Sequence, residues 1–222
     1  MNLIFMGPPG AGKGTQAEMF RRRDGLPHVS TGDILRQAVR DGTDVGWRAF
    51  QFMHKGDLVP DEVVDQIVQI RLAEPDCAEG FILDGYPRTI GQADALDRWL
   101  ARADRGLDAV VYFEIREEVL LRRLTGRRVC PTCGAIYHLG YNPPKAPGLC
   151  DLDSTELVQR KDDTLGTVLH RLEVFHQWTE PLVDHYRRRG LFLTVNAERP
   201  VPEVYDSIRE FARSRTARPA KG

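Results

Sequence analysis

The 222-residue sequence predicts an α/β fold: a five-stranded, mostly parallel sheet with helices on both faces, plus a small helical insertion and a small β-rich module. Three observations predict it. Short apolar runs alternate with stretches that repeat apolar residues every three to four positions, the pattern of buried strands joined by crossover helices. Two segments break that rhythm, one helical and one rich in Cys, Gly, Pro and Tyr. The composition, 41% hydrophobic and 28% charged, suits one core of ordinary size and fits neither a disordered chain nor a membrane protein.

Taken in order, Leu3-Ile4-Phe5-Met6 reads as the first strand, which runs into a Gly/Pro-rich turn and then a helical stretch. His28-Val29-Ser30 reads as a short strand. Residues 31–59 are helical in pattern, opened by Ser30 with Asp33 three residues on as a capping box and broken by Gly42, Gly46 and Gly56. Val63, Val64, Ile67 and Ile70 give the next helix one apolar face, and Phe81-Ile82-Leu83 follows as a strand. Leu96, Trp99, Leu100 and Ala103 mark another helix, and 109–115 another strand. Residues 127–163 show no helical period, as expected of a turn-rich module. The strand at 191–195 and a helix carrying Val204, Ile208 and Phe211 complete the pattern, with a basic tail after Ser214 expected to fray. Right-handed crossovers place these strands in one sheet.

Lys and Arg number 31 against 32 Asp and Glu, which excludes a whole surface built to coat nucleic acid or anionic lipid. Any anion site must be local. The apolar run at the amino terminus is too brief for a signal-peptide core or a membrane span, so a cytoplasmic location is expected. The six histidines show no ligand spacing with the cysteines and read as surface or core residues.

Straight after the first strand stands Gly7-Pro8-Pro9-Gly10-Ala11-Gly12-Lys13-Gly14-Thr15, the GxxxxGK phosphate loop in its strand-turn-helix setting. Its glycines allow positive φ, so consecutive amides and a helix amino terminus point at one anion, and Lys13 adds a full positive charge. Gly14 stands where the general motif has a magnesium-binding Ser or Thr, and Thr15 comes one residue later. Magnesium is then expected to depend on Thr15, on Asp84 at a strand end, and largely on water.

Of the four cysteines, Cys77 stands apart and reads as a core thiol. Cys130-Pro131-Thr132-Cys133 and Cys150-Asp151-Leu152-Asp153 make a CxxC and a CxxD separated by sixteen residues. Two such knuckles can set four ligands at tetrahedral corners, and three thiolates favour zinc. Asp153 is the fourth ligand in this reading, with Asp151 as the alternative. Four protein ligands leave no open position, so the metal is expected to be structural.

Ser30-Thr31-Gly32-Asp33 with Arg36, Asp84-Gly85-Tyr86-Pro87-Arg88 with Gln92, Gly126-Arg127-Arg128, and Arg160-Lys161-Asp162-Asp163 with Arg171 follow the phosphate loop in a fixed order. Over nearly the whole chain this resembles the adenylate kinase family, in its long-lid form with a metal knuckle. The resemblance implies a P-loop NTPase-like core at 1–29, 60–126 and 164–222, an AMP-binding insertion at 30–59 and a lid at 127–163. It implies that Gly10, Ala11, Gly12, Lys13, Gly14, Thr15, Arg123, Arg127, Ile136, Tyr137 and Arg199 hold ATP. Thr31, Arg36, Asp57, Leu58, Val59, Gly85, Tyr86, Pro87, Arg88, Gln92, Arg160 and Arg171 would hold AMP. Catalysis would fall to Lys13, Arg88, Arg123, Arg160 and Arg171, with Mg2+ bound to ATP and Zn2+ in the lid.

The chemistry of the side chains agrees. Arg36 and Arg88 supply planar donor forks for a phosphate, and Gln92 offers a paired donor and acceptor suited to the edge of adenine. An AMP phosphate oxygen is already anionic, so the reaction needs no protein base, and electrostatics and alignment must carry it. The resemblance also implies closure of the two insertions, hinged near Gly126 and Asp163, which would keep water out. The resemblance further implies a monomer acting on ATP, AMP and ADP, with no nucleic-acid or membrane partner. Two other readings remain open. One is a kinase for UMP or CMP, or one using GTP; the other is a P-loop switch with a nucleic-acid-binding zinc ribbon, whose basic stripe with interleaved aromatics is missing.

Overall fold

Seven strands form among residues 1–216, the residues the computed structural model describes: β1 (Asn2–Met6), β2 (His28–Ser30), β3 (Phe81–Asp84), β4 (Ala109–Glu114), β5 (Arg127–Val129), β6 (Ile136–His138) and β7 (Phe192–Asn196). Five of them make a parallel sheet in the order β2-β3-β1-β4-β7. The helices are α1 (Lys13–Asp24), α2 (Thr31–Arg40), α3 (Asp44–Met53), α4 (Asp61–Leu72), α5 (Ile90–Arg102), α6 (Glu117–Thr125), α7 (Leu165–Val174), α8 (Leu182–Arg187) and α9 (Val201–Thr216). No helix among the described residues is long and apolar enough to cross a membrane.

Alternation along each strand divides the core between two faces. From β1, Leu3 and Phe5 pack with Phe20 of α1, Leu124 of α6, Leu172 of α7 and Ile208 of α9. Ile4 and Met6 turn to the other face and pack with Val64 and Val68 of α4, Leu96 of α5 and Tyr186 of α8. Burying each large apolar side chain contributes about 1.5–3 kcal/mol, so this two-sided core supplies most of the stability.

The sequence-derived faces hold with two corrections. Ile70 is 62% exposed, because the buried stripe of α4 runs through Val63, Val64, Val68 and Leu72 instead. Ala103 lies just past the end of α5, exposed to solvent. Ser30 caps α2 as expected, its Oγ accepting the Asp33 backbone N–H at 3.3 Å. Gly42 and Gly56 break the helices with positive φ, whereas Gly46 lies inside α3. A Cβ on Gly46 would come 2.1 Å from the Ala38 carbonyl oxygen, so close α2–α3 packing rather than chain reversal requires glycine there. The basic tail expected after Ser214 is helical through Thr216, and residues 217–222 lie outside the described residues.

Residues 127–163 form a short antiparallel pair, β5 with β6, extended by isolated bridges such as Val129 to Val158 and Leu149 to Glu156. Their own core is Cys130, Tyr137 and Cys150, with Ala135 and Leu157 packed against them.

Candidate active site

The phosphate loop leaves the carboxyl end of β1, in the centre of the sheet. Gly7, Gly10 and Gly12 take φ of 139, 85 and 95°, conformations open to glycine alone among common residues. No side chain caps the first amides of α1 and its first turn holds no acid, so the positive end of the helix is left for an anion. Lys13 Nζ folds over the loop, donating to the Gly7 carbonyl at 2.7 Å and the Pro8 carbonyl at 2.9 Å. Burial, resisted by Asp84 and reinforced by Arg88, Arg171 and Arg127, pushes its pKa down to about 8.

Asp84 ends β3 beside this loop; a Cβ on Gly14 would lie 3.5 Å from its Oδ2. The same oxygen is 3.2 Å from His28 Nε2. Burial disfavours the imidazolium, but the hydrogen bond and charge of Asp84 outweigh it and raise the His28 pKa. A lone histidine in a strand gives no sign of this role. Only the parallel β2–β3 pairing, which sets Ser30 beside Asp84 and His28 beside Ile82, brings the two together.

Beyond β3 and α2 a cleft is lined by Thr31, Arg36, residues 57–59, Gly85, Arg88, Gln92, Asp162 and Arg171. Most residues expected to hold AMP therefore meet in one place. Thr31 Oγ1 donates to the Gly85 carbonyl at 2.9 Å, joining α2 to the β3 turn. Tyr86 and Pro87 do not line the cleft: the Tyr86 ring is buried in the core and its hydroxyl donates to Asp65 at 2.7 Å.

The arginines fall into two groups. Arg36 and Arg160 share Asp33, at 2.5 and 3.4 Å, which links the helical insertion to the end of the lid. Arg127 pairs with the fully buried Asp163, and Arg171 pairs with Asp162 at 2.9 Å while lying 3.5 Å from Asp163. Arg88 is different. Its Nε donates only to the Gly85 carbonyl at 2.8 Å, and among the described residues no carboxylate forms a salt bridge with it. Burial, then the neighbouring Arg171, pushes its pKa down to about 10. Arg123 reaches the carbonyls of Ala11 and Ala197, so it bridges the phosphate loop and the segment after β7.

Three residues expected on the ATP side sit less directly. Arg199 forms an exposed pair with Glu203 at 2.9 Å. Ile136 is 42% exposed on β6. The Tyr137 ring is buried in the lid core, its hydroxyl accepting the Asp151 backbone N–H at 2.8 Å and lying 3.5 Å from Cys150 Sγ.

Cys130, Cys133, Cys150 and Asp153 offer ligand atoms that all lie within 4.8 Å of one another. Cys133 Sγ is 3.5 Å from Cys150 Sγ, and Cys130 Sγ is 3.3 Å from an Asp153 oxygen. Thiolates around one tetrahedral zinc stand about 3.8 Å apart for Zn–S bonds of about 2.3 Å, so this cluster is compatible with the metal. Asp151 is engaged elsewhere, accepting the Lys145 backbone N–H at 2.8 Å. Cys77 is buried apart from the cluster, as expected.

A phosphate loop set beside a second arginine-lined cleft on this fold defines a nucleoside-monophosphate kinase, a phosphotransferase of the P-loop class. A family model for adenylate kinase matches residues 5–191. The chain is 52% identical to an adenylate kinase of Moorella thermoacetica over 94% of this chain and 96% of that protein. It is 51% identical to one from Carboxydothermus hydrogenoformans, covering 94% and 98% of the two chains. Against one from Caldanaerobacter subterraneus the identity is 47%, covering 95% of each chain. The chain belongs to the adenylate kinase family.

Proposed function

We propose that this chain holds ATP on the phosphate loop and AMP in the adjoining cleft, and that the half-buried cations between them carry the transfer. The enzyme moves the terminal phosphoryl group of ATP to AMP, reversibly, giving two ADP. The observation that carries the residue assignment is that Lys13 and Arg88, both half-buried, donate their side-chain hydrogen bonds to carbonyls and form no salt bridge among the described residues. A buried cation without a counter-ion costs stability, and such a cost is retained where a bound anion offsets it.

In this reading the amides of residues 10–15, Lys13, Arg123 and Arg127 receive the ATP phosphates, with Ile136, Tyr137 and Arg199 on the nucleoside side. Arg36 and Arg88 fork onto the AMP phosphate, and Arg160 and Arg171 close over the group in transit. Thr31, residues 57–59, Gly85 and Gln92 hold the AMP nucleoside. Tyr86 and Pro87 act from behind, by fixing the turn that aims Arg88. The attacking phosphate oxygen needs no base, so the residues align two polyanions and counter the charge spread over the transferring group. Magnesium supplies charge neutralisation on the ATP phosphates when bound, and Thr15 and Asp84 would hold it, largely through water.

We assign residues 1–29, 60–126 and 164–222 to a core, 30–59 to an AMP-binding insertion and 127–163 to a lid. The setting we propose is a cytoplasmic monomer acting on free nucleotides, with no nucleic-acid or membrane partner.

The charge on Lys13 gives a test. With a pKa of about 8 in the unliganded enzyme, Lys13 loses its proton as pH rises through that value. Only the ammonium binds phosphate, so kcat/KM for ATP should fall on an alkaline limb centred near 8. A profile flat to about pH 10, where an ordinary lysine titrates, contradicts the assignment.

For the lid we propose a structural zinc on Cys130, Cys133, Cys150 and Asp153. Cys130→Ser should lower the thermal midpoint by roughly 5–10 °C, the effect of losing about 2–3 kcal/mol from a chain of this size. Turnover in the cold should change little. Loss of activity with an intact midpoint would overturn the structural role, and elemental analysis of the purified protein tests the metal itself.

A further inference from the structure

Gln92 is 2% exposed and lines the acceptor cleft, and its amide is held at both ends. Oε1 accepts the Arg88 backbone N–H at 2.7 Å, and Nε2 donates to Asp61 Oδ1 at 2.7 Å. A backbone N–H can only donate and a carboxylate can only accept, so the oxygen must face Arg88 and the nitrogen must face Asp61. One N–H and one lone pair of the amide remain for a ligand.

Asp61 is itself fixed. It is the first residue of α4, where the helix dipole favours a negative charge. Its Oδ2 accepts the Thr89 hydroxyl at 2.6 Å, and the Thr89 oxygen accepts the Gln92 backbone N–H at 3.1 Å as the cap of α5. Gly91 leaves the space this needs, since a Cβ there would lie 3.1 Å from Asp61 Oδ2.

We propose that Asp61 is a positioning residue that sets acceptor specificity, locking the Gln92 amide, together with the Arg88 backbone N–H, in the one orientation that matches adenine. The 6-amino group of adenine donates and N1 accepts. Hypoxanthine has the same shape with the pattern reversed: O6 accepts and N1–H donates. A Gln92 free to turn over would serve both bases, whereas the locked one serves adenine and meets hypoxanthine with donor against donor. The inference rests on the proposed placement of the AMP base against Gln92.

The test compares kcat/KM for AMP and inosine monophosphate, at saturating ATP and magnesium, in the wild type, Gln92→Ala and Asp61→Asn. An Asn side chain can turn either its oxygen or its NH2 to Gln92, so the lock at that end is lost and only the Arg88 backbone N–H still favours the original orientation. The preference for AMP should fall by at least about fivefold in Asp61→Asn, mainly through KM, with KM for ATP unchanged. A general loosening of α4 would weaken both acceptors alike and leave the ratio unmoved. If Gln92→Ala abolishes the preference and Asp61→Asn keeps it, Asp61 has no such role and the placement of the base stands. If Gln92→Ala also keeps it, the placement fails and the proposal with it. Should Asp61→Asn not fold, Gly91→Ala, which crowds the same carboxylate, gives the same readings.

Discussion

Arg88→Ala should lower turnover by roughly a thousandfold to a hundred-thousandfold, about 4–7 kcal/mol of barrier, while leaving the unliganded fold at least as stable as before. The first half follows from the position of the guanidinium in the acceptor cleft beside Arg171, where Asp84 and Asp162 attract it without forming a salt bridge and burial and Arg171 outweigh them. The second half follows from the same fact. Its pKa is pushed down to about 10, which means that folding works against its charge, and removing the charge relieves that cost. A kinetic assay paired with thermal unfolding checks both. Near-normal turnover would remove Arg88 from the site, and a large drop in midpoint would show that its role is structural.

Arg171→Ala should lose turnover on the same scale but also lose stability: burial lowers the Arg171 pKa too, yet removing this arginine leaves Asp162 and Asp163 without one of their cations, whereas removing Arg88 breaks no ion pair. Arg171 pairs with Asp162 at 2.9 Å and lies close to buried Asp163. Breaking such a pair leaves a carboxylate without its partner, worth about 2–4 kcal/mol here, because Asp163 keeps Arg127. The pH dependence has a definite sign. Burial alone would raise the Asp162 pKa, but Arg171, followed by Arg36, Arg127 and Arg160, holds it below the usual carboxylate value. The stabilisation is therefore full above the ordinary carboxylate pKa and fades as pH falls through the depressed one. The midpoint difference between wild type and Arg171→Ala should be large at neutral pH and shrink in acid. A difference that grows in acid would contradict the pairing.

What the sequence made legible was whatever is encoded locally. The phosphate loop is a contiguous run whose glycines, lysine and flanking strand and helix all point to one use, and the two knuckles are contiguous as well. Arg36, Arg88 and Arg171 are legible only together, since each alone resembles a solvated surface residue. Partnerships between distant elements could not be read. The His28–Asp84 contact depends on β2 and β3 being neighbours, and the Asp61–Gln92 contact on α4 and α5 meeting at their amino ends. Gly46 reads as a breaker in sequence and proves to be a packing site, because nothing local distinguishes a glycine that turns the chain from one that lets two helices touch. Nor does the sequence show that the Tyr137 ring packs against Cys130 and Cys150, because that contact depends on segments apart in the chain.

The carboxylates explain how a chain of formal net charge −1 gathers so many half-buried cations. Asp33, Asp162 and Asp163 hold Arg36, Arg127, Arg160 and Arg171 in place before any ligand arrives. Lys13 and Arg88 donate to carbonyls and form no salt bridge among the described residues. Preorganisation of this kind lowers the barrier because the charges need not be assembled during the reaction.

The most direct measurement is a nucleotide balance on the purified enzyme with ATP, AMP and magnesium. The account predicts that ATP and AMP disappear one for one, that two ADP form for each AMP consumed, that no inorganic phosphate is released, and that ADP alone runs to the same mixture. Release of phosphate from ATP with AMP left intact would contradict it.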